Sequence, residues 1–440
     1  MEHANGTTFC KETAKECLSA LRSFQDQFVG SESQVEALKT VAGWLERLQR
    51  GSFSEDEEPL DENSRVYLQS YRDQFTRFSL FERGHGELVG DSPKVAGITR
   101  ERSGQWRNPA LAAELEKVED WDAFDVFKVA ALTGGRPLQP VAMAVLNCFD
   151  LVSTLRLPEK KLQNFLRGVE DAYLNNPYHN STHAADVVQG LAALFANNPF
   201  TAQLTDLEML SMILACVIHD VGHPGVTNEY LINTNADSAL LYNDQSINEN
   251  GHAAVGMQLL RKSSNNFIEA LPDEEYRFVR RTIIGIVLAT DMVGHAKLVK
   301  DTTANLRQLG PDLQKWPEEK KQRALQMIVH CCDIGNPAKP LKYSLQWTER
   351  IMAENFAQGD RERREALPVS PLCDRERVDV PKSQLTFLEY VVRPCFEALR
   401  ALAPETAAIA LRNIEIGRRH WEEQPRRNAS STMFPLDDLR

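Results

Sequence analysis

The chain has 440 residues, 42% of them hydrophobic and 25% charged, a balance typical of a globular protein with a large buried core. Its formal net charge of -12 at pH 7 argues against non-specific nucleic-acid binding, which requires clustered lysines and arginines. The eight cysteines include no C-x-x-C pair and lie mostly in apolar runs, as in proteins of a reducing compartment. The N-terminus lacks an apolar signal core and no run of about 18 apolar residues occurs, so we expect a cytoplasmic protein without a membrane span.

Residues 1–110 form a first region, for which the sequence predicts helices and linkers but no chemistry. Between Val35 and Leu48, apolar residues recur at steps of three and four, which predicts an amphipathic helix. This helix fits packing on its own chain or, as the alternative, formation of a homodimer or binding of a regulatory partner. The acidic stretch 51–62 and the Gly-, Ser- and Pro-containing stretch 84–110 are predicted linkers.

From about Trp121 onward, apolar residues recur at helical spacing and period-two alternation is almost absent. Glycines and prolines interrupt this pattern, for example at Gly310 and Pro311. We therefore predict an all-α fold, with one compact multi-helix domain over residues 111–420 and a loose tail at 421–440. The predicted helical segments are 123–132, 139–154, 159–175, 182–196, 205–218, 252–261, 275–290, 320–332, 345–357 and 383–402.

The stretch Asn176–Asp186 carries two histidines, His179 and His183, four positions apart. On one helix their imidazoles would share a face and could ligate one metal, or one could ligate while the other transfers a proton. Asp186, one turn beyond His183, is placed to orient its second ring nitrogen. The spacing alone also fits a polar surface pair or a helix cap.

Two further apolar runs end in acidic residues. The run Ile213–Ile218 leads into His219 and Asp220, with His223 close behind, and a second run leads into Asp333. Burying such groups at a helix end is costly unless the charges are paired or ligate a metal, although a satisfied core histidine is the alternative.

Together these motifs supply two histidines and two carboxylates: His183, His219, Asp220 and Asp333. Imidazole suits zinc, whereas carboxylate and water suit magnesium or manganese. Two ions about 3.5–4 Å apart suit phosphoester displacement, because both polarise the phosphoryl oxygens and a bridging water becomes hydroxide.

The chain resembles the class I cyclic nucleotide phosphodiesterases, metal-dependent hydrolases of the wider HD type, and is most similar to the cAMP-hydrolysing branches. This resemblance implies a catalytic domain over residues 111–420 that hydrolyses a 3′,5′-cyclic nucleotide to the 5′-monophosphate, with cAMP favoured and cGMP left open. The motifs that carry it are Phe124–Phe127, Tyr178–Asn180, His183–Asp186, His219–Gly225, Tyr242–Asp244, Glu249–Asn250, Asp333, Gln346–Thr348 and Lys382–Gln384, continuing to Phe387.

The resemblance also implies the roles of the polar residues. His183, His219, Asp220 and Asp333 would hold the tighter ion, zinc, and Asp220 would bridge to a second ion, magnesium or manganese. A hydroxide between the two ions would be the nucleophile, and His179 would protonate the departing 3′ oxygen as general acid. The residues that would orient metal-bound waters are His223, Glu249 and Thr290.

For the nucleotide base, the resemblance implies a pocket in which Gln384 hydrogen-bonds the purine while Phe387 and Ile351 clamp its faces. Asn336 would lie at the purine edge, and Tyr178 also belongs to the substrate-binding set. Judged without the resemblance, Phe387 fits an apolar core helix and Gln384 an ordinary helix surface. The amide of Gln384 can present either its oxygen or its nitrogen, so it can pair with either purine.

Two glycines depart from the family pattern: Gly222 stands where an acidic residue is common, and Gly251 where many members have a histidine. Both departures bear on metal affinity and not on the reaction class. Two other functions remain as alternatives, an HD-type hydrolase of a non-cyclic nucleotide and an inactive, metal-bound cyclic-nucleotide sensor. The sensor would require a lost ligand or acid, and the sequence retains all four ligands and His179.

Overall fold

A computed structural model describes residues 108–424 of the chain, except residue 197. The described residues contain helices and no β-strand, which confirms the predicted all-α fold. The predicted N-terminal helix, the acidic linker, most of the second linker and most of the tail lie outside the described residues. In chain order the helices are α1 (Pro109–Leu115), α2 (Val126–Leu132), α3 (Leu138–Cys148), α4 (Leu151–Thr154), α5 (Glu159–Ala172), α6 (Ser181–Phe195), α7 (Asp206–Ile218), α8 (Asn228–Asn233), α9 (Asp237–Leu241), α10 (Ile247–Arg261), α11 (Asp273–Leu288), α12 (His295–Leu309), α13 (Glu318–Asp333), α14 (Leu341–Arg364), α15 (Val380–Phe387), α16 (Arg393–Leu399) and α17 (Pro404–Glu423).

Each predicted helical segment overlaps a helix, but the segment 139–154 is divided. Helix α3 ends at Cys148 and α4 begins at Leu151, because Asp150 adopts a left-handed conformation with φ of 53°. The prediction missed several helices, including α12 and α17. The buried residues of α12 include only His295, Leu298 and Thr302, so its apolar period is weak.

Helices α6 and α7 form the centre of the domain. Every residue of α6 from His183 to Phe195 is buried, as is every residue of α7 from Glu208 to Ile218. A helix that is buried on all sides lies inside a core and not at its surface. Helix α7 packs against α3, α6, α11 and α13, so polar residues at its C-terminal end are carried into the interior.

Helices α15 and α16 are joined without a break by a π-helical turn, Leu388–Val392. Within this turn Leu388 and Val392 are buried, whereas Tyr390 is 75% exposed. The turn therefore keeps one edge of the continuous helix in the core.

Within residues 108–424, no single helix is long and apolar enough to cross a membrane. One pair, Asp273–Leu288 with Met292–Leu309, meets the length and composition requirement only when its two helices are taken together, and it is bent by 81°.

Candidate active site

The four predicted metal ligands come together at the ends of three helices. His183 lies in the first turn of α6, His219 caps α7 and is followed by Asp220, and Asp333 ends α13. Nε2 of His183 is 3.0 Å from Oδ1 of Asp333 and 3.3 Å from Nε2 of His219. One ligand atom from each residue lies within 4.8 Å of the other three, so this quartet can hold a metal ion.

The helix ends around the quartet favour a cation. Helices α7 and α13 both direct their C-terminal ends, which carry the partial negative charge of the helix dipole, toward it. Asp220 and Asp333 add two carboxylates at the same place. The local charge is therefore negative even though a helix N-terminus, that of α6, also reaches the site.

Two hydrogen-bonding details fit the quartet to a divalent metal. Nδ1 of His219 is 2.9 Å from the carbonyl of Cys216, to which it donates, so the neutral imidazole keeps the lone pair on Nε2 for a ligand. Oδ2 of Asp220 lies 3.0 Å from that Nε2 but is buried and accepts no hydrogen bond from the described residues. A cation would satisfy both lone pairs.

The pKa values of His219 and Asp220 show the same demand for positive charge. Burial alone would lower the pKa of His219, but the facing carboxylates of Asp220 and Asp333 raise it well above its ordinary value. Burial opposes ionisation of Asp220, yet His219 and His179 hold its pKa well below the ordinary value. When no metal is bound, a proton on His219 therefore compensates the negative charge of the two carboxylates.

His179 lies outside helix α6, as the predicted helical segment 182–196 implies, so it does not share a helical face with His183. The reason is local: Asn180 caps the helix, accepting hydrogen bonds from the N–H groups of Thr182 (2.8 Å) and His183 (3.2 Å). His179 precedes this cap and stacks on His223, with ring centroids 3.9 Å apart.

Glu354, which the sequence reasoning missed, holds His179. Its Oε1 pairs with Nδ1 of His179, and its Oε2 accepts from the backbone N–H groups of Tyr178 (2.9 Å) and His179 (3.1 Å). Burial alone would lower the pKa of His179, but the charges of Asp220 and Glu354 raise it. The available signal was the buried face of α14, where a glutamate follows Trp347 at a spacing of seven residues.

Asp186 does not orient His183, contrary to the prediction. Its Oδ2 accepts from Nδ2 of Asn336 at 2.7 Å, and Nδ1 of His183 has no hydrogen-bond partner among the described residues. The Tyr178 hydroxyl donates to Oδ1 of the same Asn336. Both ends of the Asn336 amide are therefore fixed by neighbours, which links two of the predicted substrate-binding residues.

The three residues predicted to orient metal-bound waters are buried or half-buried. Nδ1 of His223 accepts from the N–H of Gly225 at 3.0 Å, so its Nε2 carries the proton. Glu249 accepts from Asn228 at 2.9 Å, and burial raises its pKa to about 7. The Thr290 hydroxyl donates to the carbonyl of Val287 at 2.8 Å and keeps lone pairs free to accept from water.

The remaining predicted purine residues lie on two neighbouring parts of the C-terminal half. Gln384 is buried on α15, and its Oε1 is 3.3 Å from the hydroxyl of Thr348 on α14. Ile351 and Phe387 are partly buried and pack against the core cluster. Thr348 has one hydroxyl proton and can also donate to the Ser344 carbonyl at 3.0 Å, so either orientation of the Gln384 amide finds a partner.

The glycine departures have a local structural context. Gly222 adopts a φ of 76°, a left-handed conformation that L side chains rarely adopt, in the turn between Asp220 and His223. A Cβ added at Gly251 would meet nothing within 4 Å. Glycine is thus favoured by the backbone at Gly222, and Gly251 stands beside open space.

Comparison with known proteins supplies the family. A model of the 3'5'-cyclic nucleotide phosphodiesterase family matches residues 178–414, a span that begins at Tyr178 and contains every candidate site residue above. The chain belongs to this family. The fold described here is therefore that of a phosphodiesterase-family domain, and the quartet lies within the matched span.

Three curated relatives of this phosphodiesterase-family chain carry names that specify cyclic AMP. The chain is 44% identical to "3',5'-cyclic-AMP phosphodiesterase 4C" of Rattus norvegicus over 320 residues, 71% of this chain and 59% of the relative. It is 43% identical to the protein of the same name from Mus musculus, covering 71% and 46%. It is 37% identical to "Probable 3',5'-cyclic-AMP phosphodiesterase pde-4" of Caenorhabditis elegans, covering 71% and 47%. The chain spans about half the length of these relatives.

Proposed function

We propose that this chain hydrolyses 3′,5′-cyclic nucleotides to nucleoside 5′-monophosphates, with cAMP as the favoured substrate. The observation that carries the proposal is the meeting of the ligand quartet with a histidine, His179, that is held by its own carboxylate partner. The family assignment supplies the reaction class, and the names of the relatives favour cAMP.

Two divalent ions are part of the proposal. His183, His219, Asp220 and Asp333 would hold one ion, and zinc fits because imidazole is half of the donor set. Asp220 would share its second oxygen with a magnesium or manganese ion. When bound, such ions withdraw charge from phosphoryl oxygens and lower the pKa of water.

His179 supplies the proton that the leaving group needs. Its Nδ1 is occupied by Glu354, so Nε2 is the nitrogen left to face a substrate, and the side chain is 24% exposed. A water oxygen forms a bond to phosphorus and releases a proton to solvent as the bond from phosphorus to the 3′ oxygen breaks. The 3′ oxygen then leaves with the proton from His179, which gives a free 3′-hydroxyl and a 5′-phosphate.

The base would bind between Gln384, Phe387 and Ile351, with Asn336 and Tyr178 at its edge. Two observations support this. The Asn336 amide is held in one orientation by its neighbours, whereas Thr348 can hydrogen-bond the Gln384 amide in either orientation. Discrimination between purines would then depend more on Asn336 than on Gln384. We also propose a cytoplasmic location, where cyclic nucleotides act as signals.

The test is a side-by-side measurement of cAMP and cGMP turnover by the purified full chain. The assay is run as prepared, after treatment with a chelator, and after addition of zinc and magnesium. We expect cyclic-nucleotide hydrolysis that is lost on chelation and restored by metal, with higher kcat/KM for cAMP. Failure to hydrolyse either cyclic nucleotide at full metal content would refute the proposal.

A further inference from the structure

A second group of metal-ligating side chains lies where α12, α13 and α16 pack together. It consists of His295 at the start of α12, His330 on α13 and Cys395 on α16. His330 and Cys395 are fully buried, and His295 is 9% exposed. None of the three belongs to the quartet or to the predicted purine pocket.

The geometry of this group is that of a metal site. Nδ1 of His295 is 3.0 Å from Nε2 of His330, and one ligand atom of each residue lies within 4.8 Å of the other two. Zinc–nitrogen bonds of about 2.0–2.1 Å place two nitrogens roughly 3.3 Å apart on a tetrahedral ion. The corresponding nitrogens of His183 and His219 in the quartet are separated by 3.3 Å.

A plain hydrogen bond between two neutral imidazoles is the simpler explanation of the 3.0 Å separation. It accounts for Nδ1 of His295 and Nε2 of His330, and it leaves Nδ1 of His330, as would an ion bound at Nε2, without a partner among the described residues. In that arrangement the Cys395 thiol hydrogen-bonds with Cys331 and His295, so the sulfur joins the same buried polar contact. Burying two imidazoles and a thiol is costly, and a cation that binds two nitrogens and a thiolate offsets that cost.

We propose that His295, His330 and Cys395 bind a zinc ion at a site separate from the quartet. The mixed nitrogen and sulfur donor set selects zinc over magnesium or calcium, which prefer oxygen. Three protein ligands leave one tetrahedral position for water. The ion would fasten α16 to the two consecutive helices α12 and α13.

The site would also act on the quartet through α13. His330 and Asp333 lie three positions apart on this helix, and such residues share a face. An ion held by His330 therefore anchors the last turn of the helix that presents Asp333. This makes the second site a support for the first without placing it in the reaction.

Cobalt substitution of the full chain tests this proposal. A cobalt–thiolate bond gives a near-ultraviolet charge-transfer band, and the quartet contains no sulfur, so the band reports the second site alone. We expect the band in the wild-type protein reduced at its thiols and its loss in Cys395→Ser, with the cobalt content lowered by one ion per chain. The matched control is Cys373→Ser, which removes a buried free cysteine elsewhere and should keep the band.

His295→Gln provides a second variant, should Cys395→Ser fail to fold, and it should weaken the band while the thiol remains. A wild-type protein that binds cobalt without the band overturns the proposal, as does a band that Cys395→Ser leaves unchanged. Oxidation of Cys395 with the neighbouring Cys331, with no metal uptake by the reduced protein, overturns it as well. None of these results depends on turnover, so they test the zinc site independently of the proposed hydrolase function.

Discussion

Each carboxylate oxygen of Asp220 faces a different histidine. Its Oδ2 lies 3.0 Å from Nε2 of His219, and its Oδ1 lies 3.7 Å from Nε2 of His252. Asp220→Asn keeps the shape but removes the charge, so we expect turnover to be abolished and at least one metal ion per chain to be lost. Metal analysis alongside the cAMP assay checks this, and normal turnover at full metal content would contradict the assignment.

The charges of Asp220 and Glu354 raise the pKa of His179, which gives a pH prediction. As the proposed general acid, His179 must be protonated, so we expect kcat/KM to fall as the pH rises through its pKa. Glu354→Gln removes a charge that raises this pKa, and the alkaline fall in kcat/KM should therefore move to lower pH. At neutral pH we expect a loss no larger than that of His179→Ala, roughly 10²–10⁴-fold.

The control for this pH profile is Glu349→Gln, an exposed glutamate on the same helix, which should leave the profile unchanged. Metal content should stay at the wild-type level in Glu354→Gln. An alkaline limb that does not move would show that another group supplies the proton.

Gln384 and Phe387 test the purine pocket. Gln384→Ala should raise KM for cyclic nucleotides roughly 5–150-fold, because an unpaired polar group on the base costs about 1–3 kcal/mol. Phe387→Ala should act in the same direction through lost stacking, by about 1–3 kcal/mol. A small phosphodiester without a base should be hydrolysed as before, and unchanged KM for cAMP and cGMP would place the purine elsewhere.

Sequence reasoning reached the quartet because each ligand sits where an apolar run meets a helix end. It could not find the partner of His179, because Glu354 lies 175 positions away and only tertiary packing brings it close. The prediction for Asp186 failed for a different reason. Helical spacing places Asp186 near His183, but the Asp186 carboxylate instead accepts a hydrogen bond from Asn336, which lies between α13 and α14.

At the scale of elements, one helix start depends on a side chain from another helix. Helix α3 begins at Leu138, and no side chain of its own preceding residue caps it. Instead Oε1 of Glu170, on α5, accepts from the N–H of Leu138 at 2.7 Å. Burial raises the pKa of Glu170 to about 7, although Arg136 opposes the shift.

This helix contact has a pH dependence. The folded state binds a proton at Glu170 more tightly than the unfolded state, so this residue's contribution makes the free energy of unfolding fall as the pH rises from about 4.5 to about 7. Glu170→Gln keeps an acceptor for Leu138 and should remove that fall in the free energy of unfolding, which totals about 3 kcal/mol. Thermal denaturation between about pH 5 and 8 measures it.

Asp171→Asn is the comparison variant, because Asp171 pairs with the same Arg136 at 2.6 Å but is 43% exposed. Burial contributes more than the charge of Asp171 to the raised pKa of Glu170, so this variant should keep most of the wild-type slope. A Glu170→Gln variant that retains the full pH dependence would show that the slope arises elsewhere in the domain.

At the scale of the whole molecule, the candidate site occupies only part of the chain. Every site residue lies between Tyr178 and Phe387, and the family match ends at residue 414. We therefore predict that a fragment of residues 108–440 folds and hydrolyses cyclic nucleotide, because Asn108 still caps α1. Measurement of solubility, thermal stability and turnover checks this, and an insoluble or inactive fragment would show that residues 1–107 complete the domain.

The comparison fragment is 116–440, which lacks α1. Leu111 and Leu115 of that helix are 2% and 3% exposed, so their removal should leave a cavity worth about 2–5 kcal/mol for each leucine. A fragment 116–440 as stable as 108–440 would mean that α1 is dispensable.

The π-helical turn at Leu388–Val392 sets the rotation of the side chains of α16 about the helix axis relative to those of α15. Each residue of an α-helix advances about 100° around the axis, and a turn closed by i to i+5 bonds admits one residue more than the regular spiral. Residues before the turn, such as Gln384, and residues after it, such as Cys395, are therefore out of phase. Removing Tyr390 would restore the regular spiral and rotate everything beyond it by about 100°. This one additional residue therefore fixes the rotation of Gln384 relative to Cys395 about the axis of the continuous helix.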